Sequence, residues 1–97
     1  GSALTVDLVV AGVGMLPNTE AALAAGLANE HGVVVDDCSV TADPDIVAAG
    51  DCTVQHSALY DRAVRLESVP NALEQARAAA AWVCGQRKPN HAVPWFW

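Results

Sequence analysis

Basic residues are scarce in this chain of 97 residues, and long apolar runs are missing. Five lysines and arginines stand against eleven aspartates and glutamates, which gives a formal net charge of −6. An acidic chain lacks the basic face that nucleic-acid binding needs, so we expect no nucleic-acid partner. No apolar run reaches the roughly 20 residues of a membrane-spanning helix, and no basic segment followed by an apolar one marks a signal peptide. Both absences fit a cytoplasmic protein, and we expect no membrane contact.

Cysteine is also sparse. The three cysteines, Cys38, Cys52 and Cys84, lie far apart, with no Cys-x-x-Cys pair. This spacing argues against a zinc site, an iron–sulfur cluster and a thioredoxin-like redox pair, so no metal site is predicted. We expect three reduced thiols that are buried or half-buried. No side chain has the pattern of an acid–base catalyst, and no catalytic residue is predicted.

A complete phosphate-binding loop is missing as well. Gly12-Val13-Gly14 supplies two glycines of a dinucleotide-binding fingerprint, but Pro17 stands where the third glycine or alanine is required. The segment is therefore not a Rossmann phosphate loop. The apolar run before it, residues 4–11, predicts a strand that is covered on both faces.

Residues 41–51 carry the most informative pattern in the chain. The turn Asp43-Pro44-Asp45 precedes a short apolar run that ends in Gly50-Asp51. This pattern predicts a buried strand, and ligands of open α/β sheets bind outside the carboxyl ends of such strands. Glycine allows a ligand to approach the backbone, and an ionised aspartate accepts hydrogen bonds from two hydroxyls. A strand followed by an Asx turn, with no ligand, is the alternative interpretation.

Local patterns predict three shorter elements. Residues 20–25 are expected to form a short helix that Gly26 ends, and residues 32–36 are expected to form a strand. Residues 52–62 show no clear period and are expected to form a loop.

The longest predicted helix begins at Ser68. Serine is a favoured N-cap residue, and Pro70 in the first turn loses no helical hydrogen bond. Gly85 is expected to end the helix. Six residues at helical spacing form an apolar stripe that is predicted to pack in the core: Val69, Leu73, Ala76, Ala80, Val83 and Cys84.

Four segments together resemble a known family. Residues 41–51 resemble the second FAD-binding motif of flavoproteins with two dinucleotide-binding domains. The segments 7–14, 65–77 and 94–97 occur in the same order and at similar distances. The chain is thereby similar, over nearly its whole length, to the NADH-dependent ferredoxin reductases of the putidaredoxin and rhodocoxin type. Those flavoproteins supply electrons to oxygenases and cytochromes P450.

The resemblance implies an α/β fold that is one part of such a two-domain flavoprotein. Residues 1–14 would be the last strand of the NADH-binding domain, and residues 15–88 the C-terminal part of the FAD-binding domain. Residues 89–97 would begin the link to a C-terminal domain. The chain is then an internal fragment, because the family's two Gly-x-Gly-x-x-Gly units are missing from it.

The resemblance also implies FAD and NADH as cofactors and a [2Fe–2S] ferredoxin as partner. It assigns Asp51, after Gly50, to the flavin ribitol. It places the N-terminus of the long helix at the pyrimidine edge of the isoalloxazine, with Val69 in backbone contact and Pro70 and Asn71 close by.

The remaining residues implied by the resemblance lie towards the chain ends. Trp97 would lie beside the isoalloxazine, near the docking surface for the iron–sulfur partner. Gly12 and Gly14 would lie near the bound nucleotide. For the aromatic segment 94–97, a role as core anchor is the alternative.

Two alternatives to a ferredoxin reductase stay open. The first is a sibling flavoprotein with another electron acceptor, such as a nitrite reductase subunit or a rubredoxin reductase. The second concerns the chain by itself, which would be catalytically inert and would self-associate through unpaired sheet edges.

Overall fold

The computed structural model describes residues 1–93 and Trp95. Its elements, in chain order, are α1 (Glu20–Ala24), β1 (Ala28–Asn29), β2 (Gly32–Val35), β3 (Thr53–Ser57), β4 (Arg62–Val64) and α2 (Val69–Val83). The strands form one sheet in the order β1-β2-β3-β4, in which β2 and β3 are parallel and the two outer pairs are antiparallel. None of the helices in the described part of the chain has the length and apolar character to cross a membrane.

Gly32 allows the two parallel strands to approach each other. Its φ is +154°, and an added Cβ would lie 2.5 Å from the carbonyl oxygen of Cys52. That oxygen accepts the Val33 N–H at 2.8 Å, the bond with which the β2–β3 ladder begins. The Asn29 carboxamide oxygen accepts the Gly32 N–H at 3.2 Å and closes the β1–β2 turn. A side chain at position 32 is therefore incompatible with the pairing of the central strands.

Two of the shorter predicted elements are confirmed. The helix expected over residues 20–25 is α1, and the strand expected over residues 32–36 is β2. Thr19 is the N-cap of α1, although its side chain makes no capping hydrogen bond.

The predicted ends of the long helix are confirmed. Ser68 is the N-cap of α2, and its hydroxyl oxygen accepts the Asn71 N–H at 3.3 Å. Cys84 is the C-cap, and Gly85 follows with a φ of +75°, in the left-handed region that favours glycine.

The predicted packing face of α2 is wrong. Val69, Leu73 and Val83 are 68%, 52% and 74% exposed, and Cys84 is exposed as well. The buried residues of the helix are instead Asn71, Gln75, Ala78 and Ala79. This face turns inward because two alanines allow close approach and the Gln75 carboxamide meets polar groups of the Gly50 turn and β3. The Asn71 carboxamide donates to the Gln75 Oε1 and to the Leu66 carbonyl oxygen. The apolar stripe is left on the surface.

The strand predicted over residues 4–11 is also not formed. Leu4 and Val10 are 87% and 85% exposed, and no described strand pairs with this segment. A strand requires a neighbour for its backbone donors and acceptors, and the apolar pattern alone cannot supply one. The radius of gyration, 16.4 Å, exceeds the roughly 13 Å of a compact domain of this length, in keeping with a segment that is exposed along its length.

The prediction for residues 41–51 is half correct. The turn at Asp43 is present, since the Ile46 N–H donates to the Asp43 carbonyl oxygen at 3.0 Å. No strand follows it, because the only ladder contact in the described part of this stretch is a single antiparallel bridge between Val40 and Val47. Gly50-Asp51 consequently precedes β3 rather than closing a strand of its own.

The loop predicted over residues 52–62 is wrong, because β3 and the start of β4 lie there. The sequence of β3 shows no apolar pattern, because its first residue, the buried Thr53, is polar. Thr53 is only 2% exposed. Its hydroxyl lies 2.8 Å from the Gly50 carbonyl oxygen, so that burial leaves no polar group unpaired.

Replacing Gly32 by alanine tests the close approach of β2 and β3. We expect Gly32→Ala to lower the free energy of unfolding by about 2 kcal/mol, because the new Cβ forces the strands apart. Urea unfolding followed by far-ultraviolet circular dichroism measures the change. Gly12→Ala is the control, since an added Cβ at that position meets nothing within 4 Å. Equal stability of the two variants would contradict the account.

Candidate functional site

The Gly50–Asp51 turn lies against the first turns of α2. The Gly50 N–H donates to the Gln75 Oε1 at 2.8 Å, and the Gly50 carbonyl oxygen accepts the Thr53 N–H at 3.0 Å. The φ of Gly50 is +92°, and an added Cβ would lie 3.7 Å from the Cβ of Ala72. The turn is thus held on one side by the helix and on the other by the start of β3.

The Asp51 carboxylate is exposed and, across residues 1–93 and Trp95, makes no hydrogen bond or ion pair. Its backbone is restrained, because the Asp51 carbonyl oxygen accepts from the Arg65 Nη1 at 3.3 Å. Arg65 is itself paired with Glu67 at 2.8 Å and donates to the Met15 carbonyl oxygen at 3.4 Å. The turn therefore presents a carboxylate with both oxygens available to hydroxyl donors, which fits the ribitol of FAD.

One backbone N–H at the N-terminus of α2 is available to a ligand. The Asn71 N–H is capped by the Ser68 hydroxyl, and the Ala72 N–H donates to the Ser68 carbonyl oxygen at 2.9 Å. Pro70 has no N–H. The Val69 N–H has no partner in the part of the chain that the structure describes, and Val69 is exposed. This N–H and the positive end of the helix dipole favour a negative charge placed there.

A cavity of about 750 Å³ opens beside the same helix end. Pro70 and Asn71 line it, together with Leu66, His56 and Trp95. Gly50 and Asp51 are not part of its wall. Among the described residues, Pro70 and Asn71 thus line the cavity, Gly50 and Asp51 form the turn that contacts α2, and Val69 begins the helix.

Two other predicted site residues, Gly12 and Gly14, do not line the cavity. Gly12 and Gly14 lie in the exposed N-terminal segment, and an added Cβ at either position meets nothing within 4 Å. The expectation that they lie near a nucleotide stays a prediction. Trp97 lies outside the described residues.

The three cysteines are free thiols, as expected. Cys38 is buried and Cys52 half-buried, whereas Cys84 is exposed, against expectation. Burial raises the pKa of the Cys38 thiol, and the hydrogen bond and charge of Asp37 raise it further. Cys38 therefore stays protonated at neutral pH and is a structural residue.

The one group of metal-ligating side chains in the described part of the chain is a turn of Asp36, Asp37 and Cys38, whose ligand atoms lie within 4.8 Å of one another. Asp36 Oδ1 already accepts the backbone N–H groups of Cys38 and Val40, at 2.8 and 2.9 Å. These bonds give the carboxylate a structural role, and we assign no metal to the turn.

The sequence patterns missed two residues that organise the site. Gln75 bonds the Gly50 turn, and Arg65 bonds the carbonyl oxygen of Asp51. A signal for Gln75 was available, because Asn71 and Gln75 are spaced i, i+4 and share one helix face with Ala78 and Ala79. No comparable signal marks Arg65, because its contacts with Met15 and Asp51 join segments far apart in the sequence.

The family model described as pyridine nucleotide-disulphide oxidoreductase matches residues 1–76. Putidaredoxin reductase from Pseudomonas putida is 56% identical over 97 residues, which are 100% of this chain and 23% of that protein. Rubredoxin-NAD(+) reductase from Pseudomonas putida is 39% identical over 97 residues, which are 100% of this chain and 25% of that protein. The chain thus spans about a quarter of the length of these relatives.

A solved structure, the covalent putidaredoxin reductase–putidaredoxin complex, superposes on this chain with a TM-score of 0.86. The sequence identity is 56%, and the match covers 100% of this chain and 23% of that one. The expected α/β fold is thereby confirmed, because it matches one part of a dinucleotide-binding flavoprotein, and so is the resemblance to ferredoxin reductases.

Proposed function

Because the chain belongs to the pyridine nucleotide-disulphide oxidoreductase family, we propose that it is an internal segment of an FAD-dependent NADH:ferredoxin reductase. The intact enzyme passes electrons from NADH through FAD to a [2Fe–2S] ferredoxin that serves an oxygenase or a cytochrome P450. The observation that carries the proposal is the unpaired, exposed Asp51 carboxylate on a turn fixed against the N-terminus of α2. The 56% identity to putidaredoxin reductase supports the choice of acceptor.

FAD, when bound, supplies the hydride acceptance and single-electron release of the reaction. The residues of this chain bind and orient it. Asp51 accepts hydrogen bonds from the ribitol hydroxyls, and Gly50 lets the ligand approach the backbone. The Val69 N–H and the dipole of α2 stabilise negative charge at the pyrimidine edge, and Pro70 and Asn71 line the adjacent surface.

The segment boundaries follow from the same proposal. Residues 1–14 belong to the end of the NADH-binding domain, where Gly12 and Gly14 approach the nucleotide once that domain surrounds them. Residues 15–88 belong to the FAD-binding domain. Residues 89–97 lead towards a C-terminal domain. For Trp97, which lies outside the described residues, the place beside the isoalloxazine stays a prediction of the resemblance. Three free thiols fit a reducing compartment, and we place the enzyme in the cytoplasm.

A rubredoxin reductase is the second candidate for the intact enzyme. The 39% identity to rubredoxin-NAD(+) reductase favours it over other acceptors, but this value is lower than the identity to putidaredoxin reductase. Steady-state reduction of a [2Fe–2S] ferredoxin and of a rubredoxin by the intact enzyme separates the two. We expect the higher kcat/KM with the ferredoxin.

Replacing Asp51 tests the flavin site itself. In the intact reductase, Asp51→Ala is expected to raise the FAD dissociation constant about 10- to 100-fold, because hydrogen bonds to a charged carboxylate are lost. The constant is measured by titrating the deflavinated enzyme with FAD and following flavin fluorescence. Asp45→Ala is the matched control, since Asp45 is exposed in a neighbouring turn. Equal dissociation constants for the two variants would contradict the site.

The isolated chain, in contrast, is proposed to be catalytically inert and to self-associate. The exposed stripe of α2, which includes Val69, Leu73 and Val83, is the observation that favours association. Apolar side chains at helical spacing are stabilised when a second apolar surface removes them from water.

A charged residue in the stripe should abolish this association. Leu73→Glu is expected to shift the isolated chain to a concentration-independent monomer mass in sedimentation equilibrium, because burying an unpaired carboxylate is unfavourable. Leu59→Glu introduces the same change at an exposed leucine of the β3–β4 turn and should leave association unchanged. Association of Leu73→Glu at the wild-type strength would rule the stripe out.

A further inference from the structure

The side chain of Gln75 is almost fully buried, at 1% exposure, and every polar atom of it is bonded. Its Oε1 lies 2.8 Å from the Gly50 nitrogen and 3.3 Å from the Asn71 Nδ2, and its Nε2 donates to the Gln55 Oε1 at 3.1 Å. A backbone N–H can only donate, so the atom that faces Gly50 is the carboxamide oxygen. The orientation of the amide is therefore fixed by the Gly50 N–H.

The Thr53 hydroxyl adds a third group to the same oxygen. It lies 2.9 Å from the Gln75 Oε1 and 2.8 Å from the Gly50 carbonyl oxygen, and its single proton is donated to one of them at a time. On the backbone side of the residue, the Gln75 carbonyl oxygen accepts from the buried Ser39 hydroxyl at 3.1 Å. One residue of α2 thus joins two turns and β3.

These bonds connect the two halves of the proposed flavin site. Gly50 immediately precedes Asp51, and Asn71 lies two residues after Val69 in the first turn of α2. Both Gly50 and Asn71 donate to the Gln75 oxygen. That oxygen consequently sets the position of the Asp51 backbone relative to the N-terminus of α2.

We propose that Gln75 is a positioning residue of the FAD site, which holds the Asp51 carboxylate in register with the Val69 N–H. This role rests on the proposed function. Gln75 acts through Gly50 and has no need to touch the cofactor. Without the Gln75 oxygen, the Gly50 N–H has lost its hydrogen-bond acceptor. Because an unpaired donor is costly, the turn shifts until this N–H meets another acceptor. Asp51 moves with the turn.

A double-mutant cycle in the intact, FAD-binding reductase tests this role. Gln75→Leu is expected to raise the FAD dissociation constant about tenfold, in the range seen for coupled neighbours. Combined with Asp51→Ala, it is expected to add less than about twofold to the effect of Asp51→Ala alone, because the position of an absent carboxylate has no effect on binding. Gln86→Leu changes an exposed glutamine beyond the end of α2 and should leave the constant unchanged.

Two further variants separate positioning from a general loss of structure. Gln75→Glu keeps an acceptor oxygen for the Gly50 N–H but replaces the Nε2 donor to the Gln55 Oε1 with a second oxygen, and we expect its FAD dissociation constant to rise less than that of Gln75→Leu. If Gln75→Leu does not fold, Gln75→Asn takes its place in the cycle. Its oxygen is one methylene too short for Gly50, so the same tenfold loss and the same coupling to Asp51 are expected.

Each outcome of the cycle decides the inference. Additive effects of the Gln75 and Asp51 changes would overturn it, because they describe independent contributions. If Gln75→Leu leaves the FAD dissociation constant unchanged while Asp51→Ala weakens FAD binding, the inference is overturned but the proposed flavin site is supported. No effect of Asp51→Ala would overturn the proposed flavin site and, with it, the role of Gln75.

Discussion

The hydrogen bond from the Gly50 N–H to the Gln75 carboxamide is the interaction on which the rest of the structure depends. It joins α2 to the turn before β3, and β3 is a central strand of the sheet. In a buried polar cluster, the cost of leaving one group unpaired, about 1–3 kcal/mol, exceeds the net gain from making a bond. The cluster therefore specifies one arrangement of helix and turn and penalises the others.

The same interaction decides which face of α2 is exposed. Because Gln75 turns inward to meet Gly50 and Gln55, and Asn71 donates to the same Gln75 oxygen, the apolar side of the helix turns outward. An apolar helix face on the surface is unfavourable in water, and it indicates a contact that the described residues do not make. In the proposed reductase, the rest of the flavoprotein supplies that contact.

Local signals in the sequence were sufficient for the elements whose ends are set by single residues. The N-cap at Ser68, the glycine after α2 and the turn at Asp43 each act through the nearest few residues, and the structure has all three. The resemblance likewise located Gly50-Asp51, which the structure presents beside the helix end.

The predictions that failed depend on distant partners. The apolar run at residues 4–11 has the composition of a covered strand, but none of the described strands pairs with it. The strand β3 went unrecognised because a buried threonine begins it, and its burial is tolerated only through bonds to Gly50 and Gln75. The packing face of α2 was predicted from its apolar residues. In the structure, the hydrogen bonds of Asn71 and Gln75 determine which face is buried.

Amide hydrogen exchange at Gly50 tests the central interaction most directly, because it reports on that one N–H group. In the intact, folded reductase, the Gly50 amide should exchange at least 100-fold more slowly than an unprotected peptide, as expected for a hydrogen-bonded amide held by native structure. Amides of the exposed segment 4–11, measured in the isolated chain, provide the fast reference. Exchange of the Gly50 amide at the unprotected rate would contradict the account, because Gln75 would then not hold the turn.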